Sequence, residues 1–388
     1  MIDTDFVRVG VIGVGNMGSV HAKSIADGDV PGLKLAAIAD RKPDRRDWAK
    51  QLLPPGVTVF DEGAELIHSD LIDAIIIAVP HYQHPELAIM GFENGLHVMV
   101  EKPAGVYTLA VREMNKAAEK SGGKTFGMMF NQRTNCLYRK MREMVNSGEL
   151  GIMKRANWII TDWYRPQCYY DSGGWRATWA GEGGGVLANQ CPHNLDLLQW
   201  ICGLPSKVRA FCHNGKWHDI EVEDDVTAYL EFPGGATGSF ITTTADAPGT
   251  NRFEITMEYG KLVCEHNKLT LWKLDVSERE FCLSATNGFA SPPVTEIEVE
   301  TDGLNEQHNG VLKAFAANIL RGEPLVAPGG EGLNGLTLSN AMHLSSWLDK
   351  TIEIPFDEQL FLNELNKRRA ASRHKTDAGI VFDTEGSY

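Results

Sequence analysis

Gly13, Gly15 and Gly18 spell G-x-G-x-x-G directly after an apolar run at 7–14 and directly before a stretch of helical periodicity. That order of strand, glycine turn and helix suits a phosphate. Gly13 allows the tight turn, Gly15 lets a pyrophosphate approach the backbone, and Gly18 lets the helix pack close to the strand. Asn16 and Met17, between the last two glycines, open a helix whose free N–H groups and partial positive charge face the phosphates. Asp40 closes the next apolar run, roughly 20 residues on, where a carboxylate accepts from the hydroxyls of an adenosine ribose. The same carboxylate would repel a 2′-phosphate and favours NAD. Arg41 and Lys42, just beyond it, would pair with such a phosphate and leave NADP open.

A dinucleotide site of this kind needs a parallel sheet behind it. Up to residue 130, apolar runs at 7–14, 33–39, 57–60, 72–79, 96–100 and 125–130 alternate with helical segments such as 19–26, 85–94 and 109–120. The runs are rich in Val and Ile with little polar alternation, as expected of strands covered on both faces. Strands alternating with helices predict a doubly wound α/β Rossmann domain over 1–130. After a helix at 137–146 the pattern changes. Strand-like runs at 154–163, 207–213, 226–232, 237–244, 252–257 and 261–265 follow with few helices between them, punctuated by turns such as Pro233-Gly234-Gly235. Residues 131–388 are therefore expected to form an α+β substrate domain around a mostly antiparallel sheet, with a ligand cleft at the junction.

Composition narrows the partners. With 51 acidic and 37 basic residues the chain carries a formal net charge of −14, a field that repels nucleic acid. The basic run Lys367, Arg368, Arg369, Arg373 and Lys375 reads as a solvated tail or helix end. None of the seven cysteines forms a C-x-x-C pair, so neither a disulfide framework nor a metal site is expected. No apolar stretch reaches the ~18 residues of a membrane span. The first residues lack the basic-then-apolar pattern of a signal peptide, and a cytoplasmic location is expected.

Two further stretches carry a family pattern. Ala78-Val79-Pro80 leads through His81 and His84 to Glu101-Lys102-Pro103. Farther on comes Gly183-Gly184-Gly185-Val186-Leu187-Ala188-Asn189-Gln190-Cys191-Pro192-His193-Asn194-Leu195-Asp196. Together they resemble the glucose-fructose oxidoreductase / inositol dehydrogenase / rhizopine-catabolism family, Gfo/Idh/MocA. The resemblance covers nearly the whole chain, including a late segment, Glu306-Gln307-His308 with Phe315 and Gly322. It implies an open C-terminal sheet used for homo-oligomerisation, as a dimer or tetramer. It also implies hydride transfer between a nicotinamide and a secondary alcohol of a sugar or cyclic polyol.

On that resemblance Lys102 is the base that takes the hydroxyl proton, and His193 shares the transfer. A free lysine has a pKa of about 10.4; burial beside the cationic nicotinamide would lower it. The glycine run before His193 is expected to let a ligand approach. Where many members carry aspartate, this chain has Asn189, which can bond sugar hydroxyls or orient the lysine but bears no charge. A carboxylate there would raise the Lys102 pKa, by about one to three units if close. Asp196 is left as either a helix-packing or an orienting carboxylate. Val79, Pro80, His81, His84 and Glu101 are expected along the cofactor, although His84 could only cap the helix that Pro85 begins. Trp175 and Arg176 are expected at the substrate, with Tyr164 among the aromatic residues of the same region. Asn131 and Arg133 either line the cleft or cap the next helix. The leading expectation is NAD-dependent oxidation of a ring hydroxyl of a sugar, glycoside, anhydrosugar or inositol, with a lean to the 3-hydroxyl of a glucoside. The alternatives are an NADPH-dependent keto-sugar or keto-inositol reductase and a non-catalytic nucleotide-binding regulator.

Overall fold

Strands that are apolar on both faces need cover on both faces, and the first six strands have it. The structure is a computed structural model that describes residues 5–373 and 375. Strands β1 (Val7–Ile12), β2 (Leu33–Ala39), β3 (Thr58–Phe60), β4 (Ala74–Ile77), β5 (His97–Val100) and β6 (Phe126–Met128) form one all-parallel sheet. Between them run α1 (Asn16–Ala26), α2 (Pro43–Leu52), α3 (Gly63–Ile67), α4 (His84–Glu93) and α5 (Thr108–Lys120). The strand order is β3-β2-β1-β4-β5-β6. It reverses between β1 and β4, so the carboxyl ends of those two strands open the crevice where ligands bind in such sheets.

The rest of the chain contains α6 (Cys136–Asn146), β7 (Met153–Ile160), α7 (Gln167–Asp171), α8 (Pro192–Cys202), β8 (Lys207–Asn214), β9 (Glu223–Glu231) and β10 (Thr237–Thr243). Then follow β11 (Asn251–Met257), β12 (Gly260–Glu265), β13 (Lys268–Leu274), α9 (Glu278–Ser284), β14 (Val294–Glu298), α10 (Gln307–Arg321), α11 (Gly332–Leu348), β15 (Ile352–Glu353) and α12 (Glu358–Ala370). Its nine strands pair in the order β14-β13-β12-β11-β7-β10-β9-β8-β15, antiparallel except where β7 meets β10. Buried and exposed residues alternate along β9: Val226, Ala228 and Leu230 point inward, while Thr227 and Tyr229 face out. One face of this sheet therefore carries the core, in which Trp158 stacks on Phe253 at 4.2 Å.

Helix α10 returns to the first sheet. Its Val311, Leu312, Phe315 and Ala316 join Val7, Val9 and Val11 in one cluster, while α3, α4 and α5 cover the opposite face. Among the described residues no helix is long and apolar enough to cross a membrane.

Two expectations are corrected by packing. The glycine run is needed by the protein's own backbone: a Cβ on Gly185 would lie 1.9 Å from the Glu223 carbonyl oxygen, and one on Gly183 would lie 2.2 Å from Val106. Gly185 thus holds the loop before α8 tight against β9 and Gly183 holds it against Val106, so both serve packing. The basic run is also more than a solvated tail. Arg368 stacks on Trp347 at 3.9 Å and Arg369 on Tyr82 at 4.6 Å. Beyond them Ser372 and Arg373 bond Glu221, and the Lys375 ammonium donates to the Tyr170 carbonyl. The segment thus straps the loop that carries Trp175 and Arg176.

Candidate active site

A cleft of about 1150 Å³ runs from the glycine turn past the ends of β4 and β5 to the loop before α8. At its first end the glycines do what a dinucleotide needs. Gly13 has φ +84°, and a Cβ there would meet the Ala78 carbonyl oxygen at 2.6 Å. A Cβ on Gly18 would fall 1.8 Å from the Gly13 carbonyl oxygen, so Gly18 serves packing and does not line the cleft. At Gly15 the space is open for 4 Å, room for a phosphate beside Asn16 and Met17 at the start of α1.

Asp40 is fixed by its own neighbourhood. Its Oδ2 accepts from the Val14 N–H at 2.8 Å and its Oδ1 from the Lys42 N–H at 2.9 Å. Each oxygen keeps a lone pair for a ribose hydroxyl. Arg41 is drawn to Glu62 at 2.8 Å, which offsets one of the two cations that would welcome a 2′-phosphate. Turn, helix start and carboxylate together fit NAD.

Val79, Pro80, His81 and His84 follow β4 along the floor of the cleft. His84 is buried, with one ring nitrogen 2.7 Å from the Val79 carbonyl and the other 2.7 Å from the Pro103 carbonyl. It ties the end of β4 to the turn after β5 and so fixes where Lys102 points. The buried His81 has Nδ1 3.2 Å from the Glu182 carbonyl and meets the Trp175 ring edge-on at 5.4 Å.

Behind this floor Glu101 is buried, its Oε1 2.6 Å from His21 Nε2 and its Oε2 accepting from the Lys102 N–H. Burial, the largest single influence, works against the charged form, but the His21 hydrogen bond together with the charges of His21, His308 and Lys102 outweighs it, and the carboxyl is held down to about 2. Lys102 donates from Nζ to the Asn189 carbonyl oxygen at 2.9 Å. Burial pushes its ammonium below the ordinary lysine value; Glu101 and Glu182 pull it up, and Arg176 and Arg165 push it down. His193, also buried, is driven well below the usual histidine range by burial and then by Lys102. It is therefore a neutral imidazole at neutral pH.

Three buried polar atoms lack a partner here: Nδ1 of His193, Oδ1 of Asn131 and Oε1 of Gln190. All three residues line the cleft. Orphaned polar groups are costly inside a protein, and a polar ligand in the cleft is what would satisfy these three. Trp175 and Arg176 line the same wall, with Arg176 Nη1 donating to the Tyr169 hydroxyl at 2.8 Å.

Two residues expected at the substrate are elsewhere. Arg133 is buried away from the cleft and grips Asp196 with Nε and Nη2, both at 2.7 Å, while Nη1 reaches Glu331 at 2.5 Å. Asp196 is thereby a packing carboxylate, bonded to Arg133 and Gln199. Tyr164 is about half exposed and does not line the cleft; its carbonyl accepts from Arg165.

One residue went unnoticed in the sequence. Glu182 is 2% exposed, accepts from the Asn189 side-chain amide through Oε1, and accepts from the Ala177 N–H through Oε2 at 2.6 Å. Burial raises its pKa. The carboxylate that Asn189 seemed to have lost thus sits behind the asparagine. Its only signal in sequence was an acidic residue opening the glycine run.

Two family models match the chain. The oxidoreductase family model for the NAD-binding Rossmann fold covers residues 7–129, and the GFO/IDH/MocA C-terminal domain covers residues 138–263. The inositol 2-dehydrogenase of Rubrobacter xylanophilus is 30% identical over 199 residues, which is 51% of this chain and 53% of that protein. The scyllo-inositol 2-dehydrogenase (NAD(+)) of Bacillus subtilis is 27% identical over 248 residues, 60% of this chain and 66% of its own length. The chain thus spans between half and two thirds of these relatives. The WlbA dehydrogenase from Bordetella pertussis, solved in complex with NADH and UDP-GlcNAcA, is 25% identical with a TM-score of 0.77, covering 91% of this chain and 100% of that one.

Proposed function

The chain belongs to the GFO/IDH/MocA family of NAD-binding oxidoreductases, and we propose that it oxidises a secondary ring hydroxyl of a sugar, glycoside or inositol to the ketone. The observation that carries this reading is the pairing of two groups in one cleft. Lys102 has its ammonium depressed by burial, and His193 has a buried nitrogen that bonds nothing else. Bound NAD supplies the hydride acceptor, held by the turn at Gly13 and Gly15, the start of α1 and Asp40.

The chain's own groups then manage the proton. A substrate hydroxyl donates to neutral Lys102 Nζ while His193 Nδ1 bonds the same centre and fixes its orientation. The ammonium that forms is stabilised by the Asn189 carbonyl at 2.9 Å and by the charges of Glu101 and Glu182. Asn131 and Gln190 offer further acceptors to the ring hydroxyls. The relatives' names share a polyol or sugar, which agrees with so polar a wall. The outer face of the second sheet, where Phe211 and Tyr229 are each about half exposed, is where we place contact with a second copy of the chain.

The test is a panel of sugars, glycosides and inositols with NAD and with NADP, followed by absorbance of the reduced cofactor. Turnover with NAD on at least one class of ring alcohol is expected. Tight NADH binding without turnover on any member would replace this reading with that of a nucleotide-binding regulator.

A further inference from the structure

The cleft that holds Lys102 carries more positive charge than oxidation of a neutral alcohol requires. Arg165 and Arg176 both line the cleft. Their guanidinium carbons lie 5.3 Å and 4.6 Å from the centre of the same Tyr169 ring. Arg165 also faces Trp163 at 5.7 Å, and Arg176 faces Trp175 at 4.8 Å. The result is a row of alternating aromatic and cationic planes, with Tyr169 at its centre.

Neither guanidinium has a carboxylate within ion-pair distance among the described residues, although at longer range Arg176 favours the charged form of the buried Glu182 and Arg165 that of Asp162. Arg165 spends one N–H on the Tyr164 carbonyl, and Arg176 spends one on the Tyr169 hydroxyl. A guanidinium has five such donors. In a chain with 51 acidic residues against 37 basic ones, carboxylates are in surplus, and most other arginines have found one. Both cations also work against the ammonium of Lys102. An arrangement that costs charge repulsion and leaves planar donor forks open is matched to an anion brought in from outside.

Resting on the sugar-dehydrogenase reading of this cleft, we propose that the substrate is an acidic sugar, bearing a carboxylate or a phosphate that Arg165 and Arg176 hold while Lys102 faces the hydroxyl to be oxidised. Trp163 and Trp175, which end the row of planes and line the cleft, would take the apolar face of the ring. Shape alone does not separate a uronate from a sugar phosphate, since both present oxygens to a guanidinium fork, so both enter the test.

The experiment uses the full chain saturated with NADH. Glucose, glucuronate and glucose 6-phosphate are titrated, with quenching of tryptophan fluorescence as the binding readout, and oxidation with NAD is followed in parallel. At least one acidic sugar is expected to bind about tenfold or more tighter than glucose, since each charge-assisted hydrogen bond is worth about that much. The preference should shrink as salt rises. Arg165→Gln and Arg176→Gln should each bring the ratio of acidic to neutral affinity toward one, and Arg→Lys should recover part of it. Which acidic sugar wins identifies the anion. Equal binding of all three sugars overturns the proposal, as does a loss in the variants that falls on NADH alone, which would make the arginines cofactor ligands. Oxidation of glucose with no acidic preference would leave the dehydrogenase reading intact and remove only this inference. Tight binding of an acidic sugar without oxidation would do the reverse.

Discussion

Replacing Asn189 by aspartate sets two buried carboxylates against each other. In the parent both oxygens of Glu182 accept from N–H donors, which is the pattern of an ionised carboxylate. Asn189→Asp removes one donor and puts an oxygen there. Two like charges 4 Å apart at an effective dielectric near 20 repel by about 4 kcal/mol. At 1.36 kcal/mol per unit, that is about three pKa units. The pair therefore keeps one proton through neutral pH, as close carboxylates do. The net charge that this pair presents to Lys102 then stays at one negative, as with Glu182 alone. The acidic limb of the pH profile for oxidation is expected to move by less than about half a unit, not by the one to three units that an isolated new carboxylate would cause.

Folding should register the retained proton. In the unfolded chain both carboxyls ionise near pH 4, whereas the folded pair gives up its second proton well above that. A folded pKa raised in this way contributes stability below the unfolded value and loses it as pH rises through the folded one. Thermal melts of parent and variant should lie close at about pH 5 and separate toward about pH 8, by up to about 4 kcal/mol. Adding Glu182→Gln restores a donor–acceptor pair and should recover most of the loss. A deficit that is the same at both pH values, or an acidic limb displaced by more than a unit, would refute the shared proton.

Lys102→Met is expected to keep NADH binding and lose turnover by about 100- to 10,000-fold, read as kcat beside a fluorescence titration of NADH. Asp40→Ala should weaken NAD and relax discrimination against NADP; a parent that already prefers NADP, with Arg41→Ala abolishing the preference, would reverse the assignment. Arg133→Leu strands the Asp196 and Glu331 carboxylates, the first fully buried, and should cost about 3–5 kcal/mol in chemical denaturation. Tyr164→Phe, on an exposed ring outside the cleft, should leave both activity and melting unchanged within error.

The first sheet was legible because its physics is local. Runs such as Ala74–Ile77 are buried on both faces and so read as unbroken apolar sequence. The second sheet was legible as alternation, with Val226, Ala228 and Leu230 facing in. Its parallel pair was not, because β7 and β10 come together only after α7, α8, β8 and β9 have been threaded between them. The return of α10 to the first sheet was hidden for the same reason. Its apolar stripe announces a buried face without saying which sheet will bury it.

The site was legible to the extent that it depends on strand ends. Lys102, His81 and Gly13 follow directly from where β5, β4 and β1 stop, and the cleft gathers all three. Arg133 also follows a strand end, yet its guanidinium turns inward to Asp196 and Glu331, partners far away in sequence. Spacing fixes where a backbone emerges, and burial decides where a long side chain goes. Asn189 shows the same limit from the other side. Read as a substitution at one position, it is a charge removed from beside the lysine. Read in space, its carbonyl takes the Lys102 ammonium and its amide takes the buried Glu182, so one asparagine links an uncharged contact on Lys102 to a negative charge one residue deeper. The lysine keeps an electrostatic counterweight without a carboxylate in contact, which leaves its ammonium below the ordinary value and its neutral form available as a base.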